Sequence, residues 1–279
     1  MEIIRVLNNN AVLTCDKNKE DIIILGSGIS FQKKPGDKID ETKIERIFYQ
    51  DSNDIMGKLK QSLSEIPLEY FDMSNEIISE AKIELGKEFN DHIYISLPDH
   101  IQFTIQRYKD NLIIQNRLAL ETKRMYKKEF EFAKRKLADM NQRFNVELPE
   151  DEATTLVMHL INAELGSSMQ ETMQMIEMVQ SILSIIKDEM SIEFDEESLD
   201  YYRLVTHLKF FYQRLTGNEI HENKSQDNHL LKLVKERYTA SYKCAKRIKR
   251  YLKTKELTSI NNDNMLYLTI HIEKVSTIS

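Results

Sequence analysis

The chain has 279 residues, 41% of them apolar and 30% charged, the balance of a folded globular protein and not of a disordered one. No run approaches the roughly 18 apolar residues that a membrane helix needs, and the N-terminus lacks the pattern of a secretory signal, so a cytoplasmic protein without membrane insertion is expected. The net charge of −6 excludes bulk electrostatics as a basis for nucleic-acid binding, and any such contact has to come from a local patch.

Residues 1 to 50 carry short β-branched runs. Ile3–Leu7, Ala11–Thr14 and Asp21–Leu25 are separated by Asn8-Asn9-Asn10 and by Asp16-Lys17-Asn18, and Gly26-Ser27-Gly28 closes the third. Strands punctuated by Asn, Asp and Gly predict an antiparallel meander, with Ile44–Tyr49 as a fourth strand. A sheet this small buries a modest core, and dimerisation is the usual remedy. From about residue 54 the apolar spacing turns helical. Helices are expected over Met73–Leu85, over Leu118–Leu137 with a break near Tyr126, and from Leu148-Pro149 onward. Met169–Met190, Glu197–Leu215, Asp227–Leu252 and Asn261–Ser276 form a second set, after a break at Gly166-Ser167-Ser168. With only seven Gly and four Pro, long helices are the economical reading. Cys15 and Cys244 form no CxxC and are expected as free thiols in a reducing compartment.

Four of the seven histidines form a repeated pattern. Asp99-His100 and Thr206-His207 each lead into a Phe three residues on and an Arg seven residues on, Arg107 and Arg214. His159 and His271 each follow an acidic residue by eight positions, Asp151 and Asp263. The offsets between equivalent histidines are 107 and 112 residues, which predicts a tandem duplication of a helical domain. On a helix, positions i, i+3 and i+7 share a face, so His100, Phe103 and Arg107 line up, as do His207, Phe210 and Arg214. An imidazole at a helix start with a cation on its own face suits a phosphoryl acceptor, because neutral imidazole is the nucleophile. A histidine amid Leu, Ile and Phe can equally be a core residue, so spacing alone leaves both roles open. There is no HExxH and no zinc-type Cys/His spacing, so neither a metal nor a cofactor is expected. His92, His221 and His229 stand outside the pattern and are expected on the surface.

Gly26-Ser27-Gly28-Ile29-Ser30-Phe31 lacks the third glycine of a dinucleotide loop. It reads either as a plain hairpin turn or as a turn that offers Phe31 for base stacking beside Gln32, Lys33 and Lys34. Asn10 brings an amide able to bond a base or ribose. These features, followed by Leu97-Pro98-Asp99-His100, Leu148-Pro149-Glu150-Asp151-Glu152, Thr206-His207-Leu208-Lys209-Phe210-Phe211 and Tyr267-Leu268-Thr269-Ile270-His271, resemble the BglG/LicT family of transcriptional antiterminators over the whole chain, most closely its β-glucoside-type members.

The resemblance implies a small antiparallel β-sheet RNA-binding domain (1–56), a linker (57–66) and two homologous all-α helical-bundle domains regulated by the phosphotransferase system (67–168 and 169–279). It implies a homodimer that binds a hairpin in nascent leader mRNA and prevents a terminator from forming. The RNA surface carried over is Arg5, Asn10, Gly26, Ser27, Gly28, Phe31 and Gln32; Ser27 departs from the arginine common in relatives. The phosphorylated residues carried over are His100, His159, His207 and His271, with Asp99 as acidic neighbour and the phosphocarrier HPr and a sugar-specific enzyme II as donors. No catalytic residue is implied. A DNA-binding activator with the same regulatory domains is the alternative, but it needs an N-terminal helix-turn-helix where strands are expected. A phosphocarrier that relays phosphate to a sugar would need a sugar-binding or membrane domain.

Overall fold

A computed structural model describes residues 1–49, 55–112, 114, 116–216, 228–257 and 260–277, except for the side chains of Asn228 and His229. The chain divides into two compact units, Met1–Met169 and Gln170–Ser279.

The first unit opens with β1 (Arg5–Asn8), β2 (Ala11–Cys15), β3 (Asp21–Leu25) and β4 (Arg46–Tyr49), an antiparallel sheet in that order. Because side chains alternate along a strand, the run Ile22-Ile23-Ile24-Leu25 serves both faces, and all four are buried. On one face Val12, Ile22 and Ile24 pack with Ile3, Ile29 and Ile39 from the flanking loops. The other carries Ala11, Ile23, Leu25 and Phe48, all buried. Each large aliphatic so buried contributes about 1.5–3 kcal/mol, so a sheet with two apolar faces needs cover on both. Ile3 lies before β1 and is held from the opposite loop, its N–H donating to the Asp37 carbonyl at 2.9 Å.

Helices complete this unit. Residues 57–66, expected as a linker, lie mostly in α1 (Ile55–Glu65), whose Met56 and Leu59 are buried and which packs against β1 and the third helix. Then follow α2 (Leu68–Leu85), α3 (Ile93–Lys109), α4 (Ala119–Met125), α5 (Lys127–Phe144) and α6 (Asp151–Leu165). Helical spacing explains their inward faces, such as Met73, Ile77, Ile78 and Ala81 on α2 and Leu97, Ile101 and Ile105 on α3. Contacts α2–α3, α3–α6, α6–α5 and α5–α2 close a four-helix ring. Gly86 and Gly166 end α2 and α6 with φ of 63° and 66°, a left-handed cap that glycine adopts without steric cost. Sheet and bundle meet where Phe48 packs edge-on to Tyr94 of α3 (ring centroids 5.6 Å apart) and Arg46 pairs with Asp91 at 2.5 Å.

The second unit holds α7 (Met169–Met190, whose first residue belongs to the first unit), α8 (Leu199–Thr216), α9 (Asn228–Arg237), α10 (Thr239–Thr254) and α11 (Asn262–Thr277). Helix α11 packs against α8, α9 and α10. The single helix expected over 227–252 is two, broken at Tyr238 (φ −114°, ψ 57°) without a glycine or proline. Tyr126 breaks α4 from α5 in the same way (φ −136°, ψ 51°). Tyr126 and Tyr238 lie 112 residues apart, the offset of His159 and His271, so the hinge belongs to the duplicated unit. Among the described residues, no helix is long and apolar enough to cross a membrane.

Candidate functional site

Three sites emerge, a turn on the sheet and a histidine pair in each of the two bundles. The turn is built around Asn10. Its Oδ1 accepts the Gly28 N–H at 2.6 Å, and its backbone carbonyl accepts the Gly26 N–H at 2.9 Å, tying the β1–β2 turn to the loop after β3. A side chain on Gly26 would place Cβ 1.8 Å from the Lys43 carbonyl oxygen, so this glycine permits backbone contact with the segment entering β4. Gly28 adopts φ +60° and Gln32 φ +59°. The result presents Phe31, 59% exposed, with Ser27 and Gln32 also exposed and Arg5 exposed on β1. The Ser27 N–H donates to Glu45 at 3.0 Å. The Asn10 amide, expected as able to bond a base or ribose, donates its Nδ2 to Asp72 of α2. Burial and the neighbouring Glu76 raise the Asp72 carboxyl above its ordinary pKa.

The first histidine pair lies inside one bundle. His100 on α3 and His159 on α6 stack with ring centroids 4.6 Å apart and planes 30° from parallel. His100 sits near the middle of α3, not at a helix start, and its partner belongs to the same domain. The Thr104 hydroxyl lies 3.5 Å from its ring. Arg107 packs its guanidinium 5.5 Å from the ring of Phe103, which is exposed. Arg107 is also engaged by the buried carboxylate of Glu152 on α6, whose other oxygen is 3.9 Å from His100 Nε2. Desolvation, then His159 and Arg107, drive the His100 pKa well down. Burial lowers His159 to about 4. Both rings are therefore neutral at pH 7, the nucleophilic form. Asp99 is exposed beside them on α3.

The second pair repeats the arrangement with different neighbours. His207 on α8 and His271 on α11 have centroids 4.6 Å apart, planes at 45°. Tyr267, one helical turn before His271, contacts both rings, at 4.8 Å and 4.4 Å. Its hydroxyl oxygen is buried with no hydrogen-bond partner among the described residues. Burial, followed by Arg214 and Arg203, lowers His207; burial and His207 take His271 to about 4. His207 too lies mid-helix.

Among the described residues no His, Cys, Asp and Glu cluster is arranged to hold a metal. Cys15 and Cys244 are free, and burial pushes the Cys244 thiol up to about 12. His92 is exposed; His221 and the His229 side chain lie outside the described residues. Sequence reasoning brought the four histidines together but missed Glu152, Tyr267 and Asp72. Glu152 had a signal: it follows the repeated Asp151, and its counterpart after Asp263 is Asn264.

Comparison with known proteins agrees with this layout. The CAT RNA binding domain family matches residues 1–56, and the PRD domain family matches 75–163 and again 180–275. The chain is 46% identical over 275 residues to transcription antiterminator LicT of Bacillus subtilis, covering 99% of both chains. It is 38% identical to the beta-glucoside operon antiterminator of Dickeya chrysanthemi, covering 99% of this chain and 96% of that one. The crystal structure of GlcT CAT-PRDI superposes with a TM-score of 0.53 at 27% identity, over 58% of this chain and 97% of that one. With a small β-sheet domain, two bundles and a paired histidine centre in each, the chain belongs to the BglG/LicT family of transcriptional antiterminators.

Proposed function

We propose that the protein is a cytoplasmic, sugar-responsive antiterminator that binds a hairpin in nascent leader mRNA as a homodimer and is switched by histidine phosphorylation. Its parts are an RNA-binding domain (1–56), a segment that joins it to the first bundle (57–66), and two regulation domains (67–168 and 169–279). Arg5, Asn10, Gly26, Ser27, Gly28, Phe31 and Gln32 form the RNA surface. HPr and a sugar-specific enzyme II donate phosphate to His100, His159, His207 and His271; the protein accepts it and turns over no substrate. The observation that carries this reading is the repeated histidine pair, each 4.6 Å between centroids, in two bundles that follow in the chain a sheet that presents Phe31. Core histidines do not require that the same contact recur at both copies. A phosphoryl group adds roughly −1.5 to −2 charges, enough to repack a bundle around either pair.

Gel shift of the full chain against a leader hairpin and against duplex DNA tests the first half. Retention of the hairpin at concentrations that leave the duplex free is expected; a shift of duplex DNA alone refutes it. Incubation with HPr and its phosphorylating enzyme should label the wild type and not a variant with all four histidines changed to alanine. Equal labelling of both removes the switch.

A further inference from the structure

We propose that Glu152 restrains phosphorylation of the first histidine pair, by holding Arg107 in an ion pair that an incoming phosphoryl group must break, and that the second pair lacks this restraint. The inference rests on the reading that these histidines accept phosphate.

The two pairs are built on the same scaffold. Arg107 and Arg214 each stand seven residues after a histidine, and Asp151 and Asp263 eight before one. The residue after each aspartate differs, Glu152 in the first domain and Asn264 in the second. In the first, the cation on the phosphate-accepting face is already matched: Arg107 bonds Glu152, with side chains 12% and 6% exposed. The second Glu152 oxygen lies 3.9 Å from His100 Nε2, where a phosphoryl oxygen would meet like charge in a site with little water to screen it. In the second domain Asn264 is neutral and is spent on its own helix start, exchanging bonds with Asn261 at 2.9 and 3.3 Å. Arg214 is exposed and forms no ion pair among the described residues, yet its charge is felt at His207. The Tyr267 hydroxyl, buried and unpartnered among the described residues on a ring that contacts both imidazoles, is a donor available to a phosphoryl oxygen.

The chemistry places the barrier. A ring nitrogen lone pair attacks phosphorus; the new P–N bond forms as the bond to the leaving group breaks, and that group departs with the electron pair. The ring then sheds a proton to solvent from its other nitrogen. On His100 the new dianion competes with Glu152 for Arg107, so the carboxylate must swing away or take a proton. Burial already holds the Glu152 carboxyl above its ordinary pKa, although Arg107 pulls it back.

The test uses the full chain and phosphoramidate, a small donor whose leaving group is ammonia, with labelling followed histidine by histidine by mass spectrometry. Glu152→Gln should speed labelling at His100 and His159 by about tenfold, equivalent to 1.36 kcal/mol of barrier, and leave His207 and His271 at the wild-type rate. Glu152→Asp, which keeps the charge, should stay slow. Asn264→Glu should slow the second pair. An unchanged or slower first pair in Glu152→Gln overturns the inference, as does equal acceleration by Glu152→Asp, which would mark simple loosening of the bundle. If no histidine takes label in any variant, the phosphorylation reading itself falls, and the inference with it.

Discussion

Replacing Arg107 with Met keeps most of the stem's volume but removes the cation from Glu152. The carboxylate is then buried alone, 5% exposed for the whole residue. Breaking a buried pair by deleting one partner costs about 3–5 kcal/mol. The carboxylate can limit the damage by taking a proton, and that escape sets a ceiling. From an ordinary glutamate pKa of about 4.3, protonation at pH 7 costs about 3.7 kcal/mol, and at pH 5 only about 1 kcal/mol. The loss should therefore be about 3–4 kcal/mol at pH 7 and shrink to about 1 kcal/mol at pH 5. Urea unfolding of the full chain, followed by circular dichroism at both pH values, measures it as a shift of the first-unit transition. In the double variant Arg107→Met with Glu152→Met, most of the loss should return, because no charge is left buried. A loss below about 1 kcal/mol at pH 7, the worth of a surface pair, would refute the reasoning. So would a loss that does not shrink at pH 5.

Other outcomes follow from the same geometry. His159 titrates in the folded state at about 4, below its unfolded value, so its neutral form is favoured by folding. The first bundle should therefore be at full stability above about pH 6.5 and lose it as pH falls, at up to about 1.4 kcal/mol per unit for each such histidine. Denaturation midpoints of His159→Gln should show a flatter profile between pH 6.5 and about 4. Phe31→Ala should weaken hairpin binding by about 1–3 kcal/mol in a titration while leaving the melting curve unmoved, since the ring is exposed. Gly26→Ala drives a methyl into the Lys43 carbonyl, 1.8 Å away, and should destabilise the sheet by about 1–3 kcal/mol; unaltered thermal unfolding would contradict that contact.

What the sequence made legible is what local pattern encodes. Ile22-Ile23-Ile24-Leu25 between turn residues marks a strand, and Met169–Met190 is a helix at those bounds. The duplication shows as offsets of 107 and 112 residues between equivalent histidines, but the contact of His100 with His159 and of His207 with His271 has no such mark. The partners of those residues were not legible. Glu152 is 45 residues from Arg107 and Asp72 is 62 from Asn10, and nothing in either spacing announces a contact. Helix α1 gives little periodic signal because Met56 and Leu59 are the only residues it buries. The hinge at Tyr238 carries no Gly or Pro, yet the expected break at Tyr126 and the known offset already pointed to it.

The junction of Phe48 with Tyr94 gives the first unit a mechanical property. Tyr94 and His100 lie on the same helix, six residues or about 9 Å apart at 1.5 Å per residue, less than two turns. Phe48 is 1% exposed, so the joint has no slack, and β4 continues back to the backbone contact between Lys43 and Gly26, where the Phe31 turn begins. Strand, ring contact and helix thus form one short lever with the aromatic turn at one end and an imidazole at the other. A tilt of α3 has to move the sheet or unseat Phe48, because packed interfaces click between arrangements and do not stretch.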